Sequence, residues 1–224
     1  MSQQYSRSVS DYLKAIYELT LSSEQTSTVV LAEKLAVAPS SVTSMLKKLA
    51  RHEPPLVAYQ KSYGVSLTVE GQHAALSLIR RHRLIEEFLF RILGYEWESI
   101  HPEADELEHV ISARFEDQLA KLLGEPQFDP HGDPIPARDL SFPKTQSIPI
   151  NDLPENVRAV IRRVHSSQKE LLEHLGDNGI KPGSPISVLS RNPFDQTLQL
   201  TVGENDENYA IGPEISKHIF VEII

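Results

Sequence analysis

The 224-residue chain contains no cysteine. That excludes disulfides, thiolate metal sites and cysteine nucleophiles, and it fits an expected cytoplasmic location. Long apolar runs are also missing: nothing reaches the roughly 18 residues of a membrane span, so no membrane partner is expected. Met1 to Arg7 is short and polar and lacks the apolar core of a signal peptide. Net positive charge is missing too. The formal charge of −9 at first counts against a nucleic-acid binder. Its distribution changes that argument. Residues 1–91 carry 11 basic against 8 acidic side chains, or +3, whereas residues 92–224 carry 11 against 23, or −12. Phosphate binding needs local positive charge, not a basic whole. The acidic second half needs its own explanation, either solubility or cation binding. No internal repeat or low-complexity tract is present, and no nucleophile motif such as G-x-S-x-G or H-E-x-x-H, so an enzyme is not expected.

What is present begins with helical periodicity. Val9, Tyr12, Leu13, Ile16 and Tyr17 form one apolar face of a helix over about Ser8 to Leu21. Ser8 followed by Asp11 resembles a capping box with Asp in place of Glu. After the polar stretch Ser22 to Ser27, Val29 to Leu35 predicts a second helix and Ala36-Val37-Ala38 a turn. Pro39 suits the first position of a third helix, running to about His52. Its buried stripe is Val42, Met45, Leu46 and Leu49. Leu56 to Tyr59 and Val65 to Thr68 read as two strands joined by a turn over Gln60 to Gly64, with Gly64 free to take a positive φ. The stretch from about Thr26 to Gln72 is thus a winged helix-turn-helix, a unit that places its second helix in the major groove of double-stranded DNA.

Ser40, Ser41, Thr43 and Ser44 lie at the start of that helix, where short hydroxyl side chains meet bases or phosphates. Lys47, Lys48 and Arg51 further along are placed for phosphate contacts. Lys61 and Tyr63 at the wing tip reach the backbone beside the groove. The bland alternative is a generic three-helix unit packed against other protein. Proline at the helix start, the hydroxyl-rich face, the basic second half and the following hairpin weigh against it.

Two longer helices are expected next, about Glu70 to Leu93 and Glu103 to Leu123, stopped at Gly94 and Gly124. Their apolar positions exceed what two exposed helices need, which points to a homodimer interface. Asp105, Glu108 and His109 fall at i, i+3 and i+4, and His82 and Glu86 at i and i+4, so each helix carries carboxylates and imidazole on one face. His101 lies nearby. Converging oxygen and imidazole donors are what a divalent cation needs. The alternatives are ordinary: His82 sits in a solvated basic run, Asp105 and Glu108 answer a helix dipole, and Asp11 caps its helix. Residues 125–149 hold six prolines and read as a linker. A helix near Leu153 to Leu175 and strands at Pro185–Ser190, Thr197–Val202, Tyr209–Ile211 and Ile219–Ile223 predict a small β-barrel of about five strands. The fold class is mainly α with a β-rich tail: a winged helix-turn-helix over 1–72, a helical metal-binding and dimerisation domain over 73–140, and a linker with a small barrel over 141–224.

Asp11-Tyr12-Leu13-Lys14-Ala15-Ile16-Tyr17 resembles the first helix of the diphtheria-toxin-repressor and manganese-transport-regulator family. Leu35 to Thr43, His82 to Glu86, Glu108-His109-Val110 and Pro130-His131-Gly132-Asp133-Pro134-Ile135-Pro136 continue the resemblance in order over about residues 8–140. The β-rich tail is similar to the SH3-like, FeoA-like domain of the longer members. The resemblance implies a metal-activated homodimeric repressor of metal-uptake genes, bound to operator DNA. It implies one metal site at Asp11, Asp105, Glu108 and His109 and a second at His82, Glu86 and His101. Some members complete the second site with a Glu and a Gln from the tail. Arg163 and Ser166 stand there in this chain, with His165 adjacent. Iron-responsive members use Met and Cys where this chain has Asp11 and Asp105, so Mn²⁺ is favoured, with Fe²⁺ or another divalent transition metal as the alternative. Manganese regulators carry Glu where this chain has Lys14, and a charged lysine does not ligate, so a closely bridged two-metal cluster is not expected. A winged-helix regulator sensing a small organic ligand is a further alternative, one that needs an apolar cavity.

Overall fold

The computed structural model describes residues 5–21, 23–61, 63–166, 168–204 and 207–224. The chain gathers into two compact units. One holds Met1–His82, Glu106–Asp117 and Pro136–Ser141; the other holds Arg83–Asp105, Gln118–Ile135 and Phe142–Ile224.

The first unit is built on α1 (Arg7–Leu19), α2 (Thr28–Lys34) and α3 (Pro39–Ala50). The helical spacing in α1 buries Val9, Tyr12, Leu13 and Ile16. Its N-cap is Ser6, without a side-chain bond, so Ser8 already lies inside the first turn and the expected capping box does not form. Ser27 caps α2 by accepting from the Val30 amide. Ala36 takes φ 52° in the connecting turn, and Pro39 opens α3 as its spare-donor position allows. Strands β1 (Val57–Gln60) and β2 (Gly64–Leu67) pair antiparallel from Val57↔Leu67 to Gln60↔Gly64. Gly64 has φ +115°, and a Cβ there would lie 2.6 Å from the Thr26 carbonyl oxygen, so the wing closes on the helices only with glycine. The expected turn includes Ser62, and the expected polar stretch Ser22, both outside the described residues. Leu13, Ile16, Leu31, Val42, Leu46, Leu49, Leu56 and Val65 form one core. Burying each such side chain is worth about 1.5–3 kcal/mol.

The long helix α4 spans Val69–Arg91. The second long helix expected over Glu103 to Leu123 is instead two helices, α5 (Ile100–Leu107) and α6 (Ala113–Leu122). The break has a local cause. The Val110 and Ile111 amides both return to the Leu107 carbonyl, and the Ser112 hydroxyl accepts from the Phe115 amide and starts α6. Glu108 and His109 therefore stand in a turn just past α5 and do not share a helical face with Asp105.

In the second unit, six antiparallel strands follow the order β3-β8-β4-β5-β6-β7: β3 (Ile148–Pro149), β4 (Arg158–Val164), β5 (Pro185–Arg191), β6 (Leu198–Val202), β7 (Glu207–Ile211) and β8 (Ile219–Ile223). Helices α7 (Lys169–Asp177) and α8 (Pro213–Ser216) complete it. The helix expected near Leu153 to Leu175 is β4 followed by the shorter α7. Ile161, Val164, Leu172, Val188, Leu200 and Val221 lie in its core, with Trp97. Part of the expected linker is also ordered. Phe128 bridges Pro134, the Ile135 amide bonds the Gln127 carbonyl, and a tight turn runs from Asp129 to Asp133. Among the described residues no single helix is long and apolar enough to cross a membrane.

Candidate metal centre

On α3 the side chains of Ser40, Ser41, Ser44, Lys47 and Lys48 are exposed, as are Arg51 just past it and Lys61 and Tyr63 at the wing. Thr43 is half-buried, and its hydroxyl donates back to the Pro39 carbonyl at 3.0 Å.

In the first unit, the ligand-type residues centre on Glu108, whose side chain is fully buried. Lys14 Nζ donates to its Oε1 at 2.8 Å, and His82 Nδ1 lies 2.7 Å from its Oε2. A carboxylate only accepts, so His82 carries its proton on Nδ1 in this contact. His109 Nε2 is 3.5 Å from Oε1, and Arg81 donates to the Glu108 carbonyl. Burial pushes the Glu108 carboxyl up, but the His82 bond and charge and then the Lys14 charge and bond outweigh it, holding it below the usual carboxylate range. Asp11 is half-buried on α1, one turn before Lys14 on the same face.

The second unit brings Glu86, His101 and Asp105 together. His101 Nδ1 donates to Glu86 Oε1 at 2.9 Å, and His101 Nε2 is 3.8 Å from Asp105 Oδ2. It adds two residues to which the sequence reading assigned no role, Asp129 and His131. Glu86, Asp129 and His131 are all buried, and one ligand atom from each lies within 4.8 Å of the other two. His131 Nε2 is 3.1 Å from the Trp97 carbonyl oxygen, which only accepts, so Nε2 donates in this contact. Burial lowers the His131 pKa, against the Glu86 and Asp133 charges that raise it. Burial drives the Asp129 carboxyl well up, and the Glu86 and Asp133 charges add to this against Arg83. Asp133 is held below its usual range: burial raises it, but the His165 bond and the charges of Arg83, His165 and Arg163 outweigh that. His165 Nδ1 faces both Asp133 oxygens at 3.0 Å.

The donor set is chemically coherent. Two buried carboxyl groups and a buried imidazole converge, with one ligand atom of each within 4.8 Å of the others. Burial first, and then the Glu86 and Asp133 charges, raise Asp129, and a divalent cation held there would offset both. The sequence signal for Asp129 and His131 existed in the run from Asp129 to Pro136, but its acids and histidine lack helical spacing.

Three family models match the chain: the iron dependent repressor N-terminal DNA binding domain over residues 4–65, the iron dependent repressor metal binding and dimerisation domain over 68–137, and the FeoA domain over 148–223. The chain is 28% identical to the iron-dependent repressor IdeR of Mycobacterium leprae (strain TN), over 94% of this chain and 95% of that protein. It is 37% identical to the HTH-type transcriptional regulator MntR of Bacillus pumilus (strain SAFR-032), over 52% of this chain and 78% of that protein. Among solved structures, a manganese-dependent transcriptional repressor in complex with manganese superposes with a TM-score of 0.87 at 33% identity, covering 96% of this chain and 100% of the other.

Proposed function

The chain belongs to the diphtheria-toxin-repressor and manganese-transport-regulator family of metal-dependent transcriptional repressors, and from that premise we propose that it is a Mn²⁺-activated homodimeric repressor of metal-uptake genes. The family is one of DNA-binding regulators, not enzymes. The observation that supports the metal reading is the buried trio Glu86, Asp129 and His131, each of which brings one ligand atom within 4.8 Å of the other two.

Asp11, Asp105, Glu108 and His109 hold one cation. Glu86, His101, Asp129 and His131, with His82 one turn before Glu86 on α4, serve a second. Every donor is oxygen or nitrogen, which favours Mn²⁺; the Fe²⁺ reading would gain from a sulfur donor, and none stands here. The metal supplies positive charge that turns repulsion between carboxylates into attraction. Asp11 lies on the first helix of the DNA-binding unit, so its engagement makes DNA binding conditional. The shift in population is set by the difference in metal affinity between the two arrangements. Ser40, Ser41, Thr43 and Ser44 face base edges or phosphates, and Lys47, Lys48, Arg51, Lys61 and Tyr63 contact the backbone. Phe90, Ile92, Leu93 and Leu122, 41–63% exposed at the ends of α4 and α6, supply the apolar surface of a homodimer.

Operator binding measured with Mn²⁺, with Fe²⁺ and without metal tests this reading. Binding indifferent to every metal would return the protein to the class of organic-ligand sensors. The trio also predicts a pH dependence. Asp129 has a raised pKa and must lose its proton to ligate, so metal affinity there weakens as pH falls through that raised value. The slope is about tenfold per pH unit for one displaced proton. Calorimetry in buffers of different ionisation enthalpy reads the proton directly.

A further inference from the structure

The turn from Asp129 to Asp133 is fixed from two sides. From within, Asp129 Oδ1 accepts from the His131 and Asp133 amides at 2.8 and 2.9 Å. From without, it is pressed onto strand β4. The Val164 amide donates to the His131 carbonyl at 2.8 Å. Gly132 has φ +83°, and a Cβ there would lie 1.9 Å from the Arg162 carbonyl oxygen, so no other residue permits this approach. Asp133 Oδ1 then meets three cationic or proton-donating side chains: His165 Nδ1 at 3.0 Å, Arg83 at 3.5 Å and Arg163 at 3.8 Å. The Arg163 guanidinium lies 3.8 Å over the Phe220 ring, its cross-strand neighbour on β8. β4 is flanked by β8 and β5 and is a rigid base for these groups.

We propose that the C-terminal β-domain acts as a clamp on the metal-binding turn, with Arg163 and His165 as positioning residues that hold Asp133 and thereby aim Asp129 and His131, while supplying no ligand themselves. The chemistry favours this over direct ligation. Arg163 has no lone pair to give, and His165 directs its Nδ1 at Asp133. Without the clamp, Arg83 alone, 3.6 Å from Asp129 and 3.5 Å from Asp133, balances the two acids, and their remaining repulsion loosens the turn. With it, Asp133 is neutralised from the β-domain side and Asp129 is held beside Glu86 and His131. The domain thus tunes the second cation site without entering it.

The proposal rests on Glu86, Asp129 and His131 binding a cation, and the test separates the two ideas. Mn²⁺ binding to the full chain is followed by calorimetry for the wild type, Asp129→Ala, Arg163→Lys and the double variant Arg163→Met, His165→Gln. Amide hydrogen exchange is followed at His131 and Asp133 in the metal-free proteins. Asp129→Ala should lose one class of site. The double variant should keep the number of sites but bind at the second about 10–100-fold more weakly, as loss of groups that orient ligands does. Its His131 and Asp133 amides should exchange faster while those of β4 and β8 stay protected. Arg163→Lys, which keeps the charge, should recover most of the affinity. Loss of a site in Asp129→Ala with unchanged affinity and exchange in the double variant overturns the clamp alone. No loss of a site in Asp129→Ala removes the cation reading and the clamp with it. If the double variant is too unstable to measure, Arg163→Met alone with the same readouts decides the matter.

Discussion

Asp105→Ala is expected to abolish Mn²⁺-dependent operator binding while the protein remains a folded dimer. Asp105 stands on α5 with about a third of its side chain exposed, so truncating it removes less packing than truncating a buried acid would. Its neighbour His101 keeps its bond to Glu86. What disappears is one carboxylate of the proposed metal set. Loss of groups that merely orient ligands costs about 10–100-fold in metal affinity, so a direct ligand should cost about 100-fold or more. Glu108→Ala is a poorer experiment. It removes the shared acceptor of Lys14 and His82, and leaving such groups unsatisfied costs about 1–3 kcal/mol, more if charged, mixing stability with function. Anisotropy on labelled operator, with sedimentation to confirm the dimer, reads Asp105→Ala cleanly. Retained Mn²⁺-dependent binding in this variant contradicts the ligand assignment.

Lys14→Gln is expected to tighten Mn²⁺ binding by about one to two powers of ten. The Lys14 ammonium lies on Glu108 Oε1 at 2.8 Å, with its side chain 16% exposed and that of Glu108 fully buried. It is a tethered cation placed where an incoming cation needs negative charge. Two unit charges 4 Å apart near a protein surface interact by about 4 kcal/mol, and each 1.4 kcal/mol is a factor of ten in affinity. Partial exposure and rearrangement reduce the net effect to the range given. On the proposed metal reading, the lysine would raise the Mn²⁺ concentration at which the site fills. The same change should cost stability in acid. The Glu108 pKa is depressed in the folded state, so its contribution is present above the ordinary glutamate value and is lost as pH falls through the lowered one. Removing Lys14 makes that depression smaller, and acid unfolding should begin at higher pH. Calorimetric titration and an acid unfolding curve measure the two effects; unchanged or weaker Mn²⁺ affinity refutes the threshold.

The DNA-binding unit was legible in the sequence because local rules agree there. Apolar spacing, Pro39 at a helix start and Gly64 in a turn each point to the same architecture. Elsewhere single local features misled. In β4, a register shift between Ile161 and Arg163 changes the spacing of the buried positions Ala159, Ile161 and Val164 from two to three, so strict strand alternation is lost. The break between α5 and α6 turns on one hydroxyl, Ser112, inside an otherwise periodic run. Glu86, His82, His101, Asp105, Glu108 and His109 were visible because five belong to helix-spaced sets and His101 lies close by. Asp129 and His131 come from a turn whose geometry depends on the distant strand β4, which no local pattern reports. The salt link of Lys14 to Glu108 is likewise a tertiary contact between residues 94 positions apart.

The central claim is that DNA binding is conditional on a divalent cation. It is tested most directly by the affinity of the full chain for an operator duplex, selected from random DNA in the presence of Mn²⁺. The affinity is measured at one fixed salt concentration, with saturating Mn²⁺ and then with chelator, because phosphate contacts make any affinity salt-dependent. A conditional binder should bind at least about 100-fold tighter with Mn²⁺, a difference of about 2.7 kcal/mol. Equal affinity in Mn²⁺ and in chelator would contradict the account.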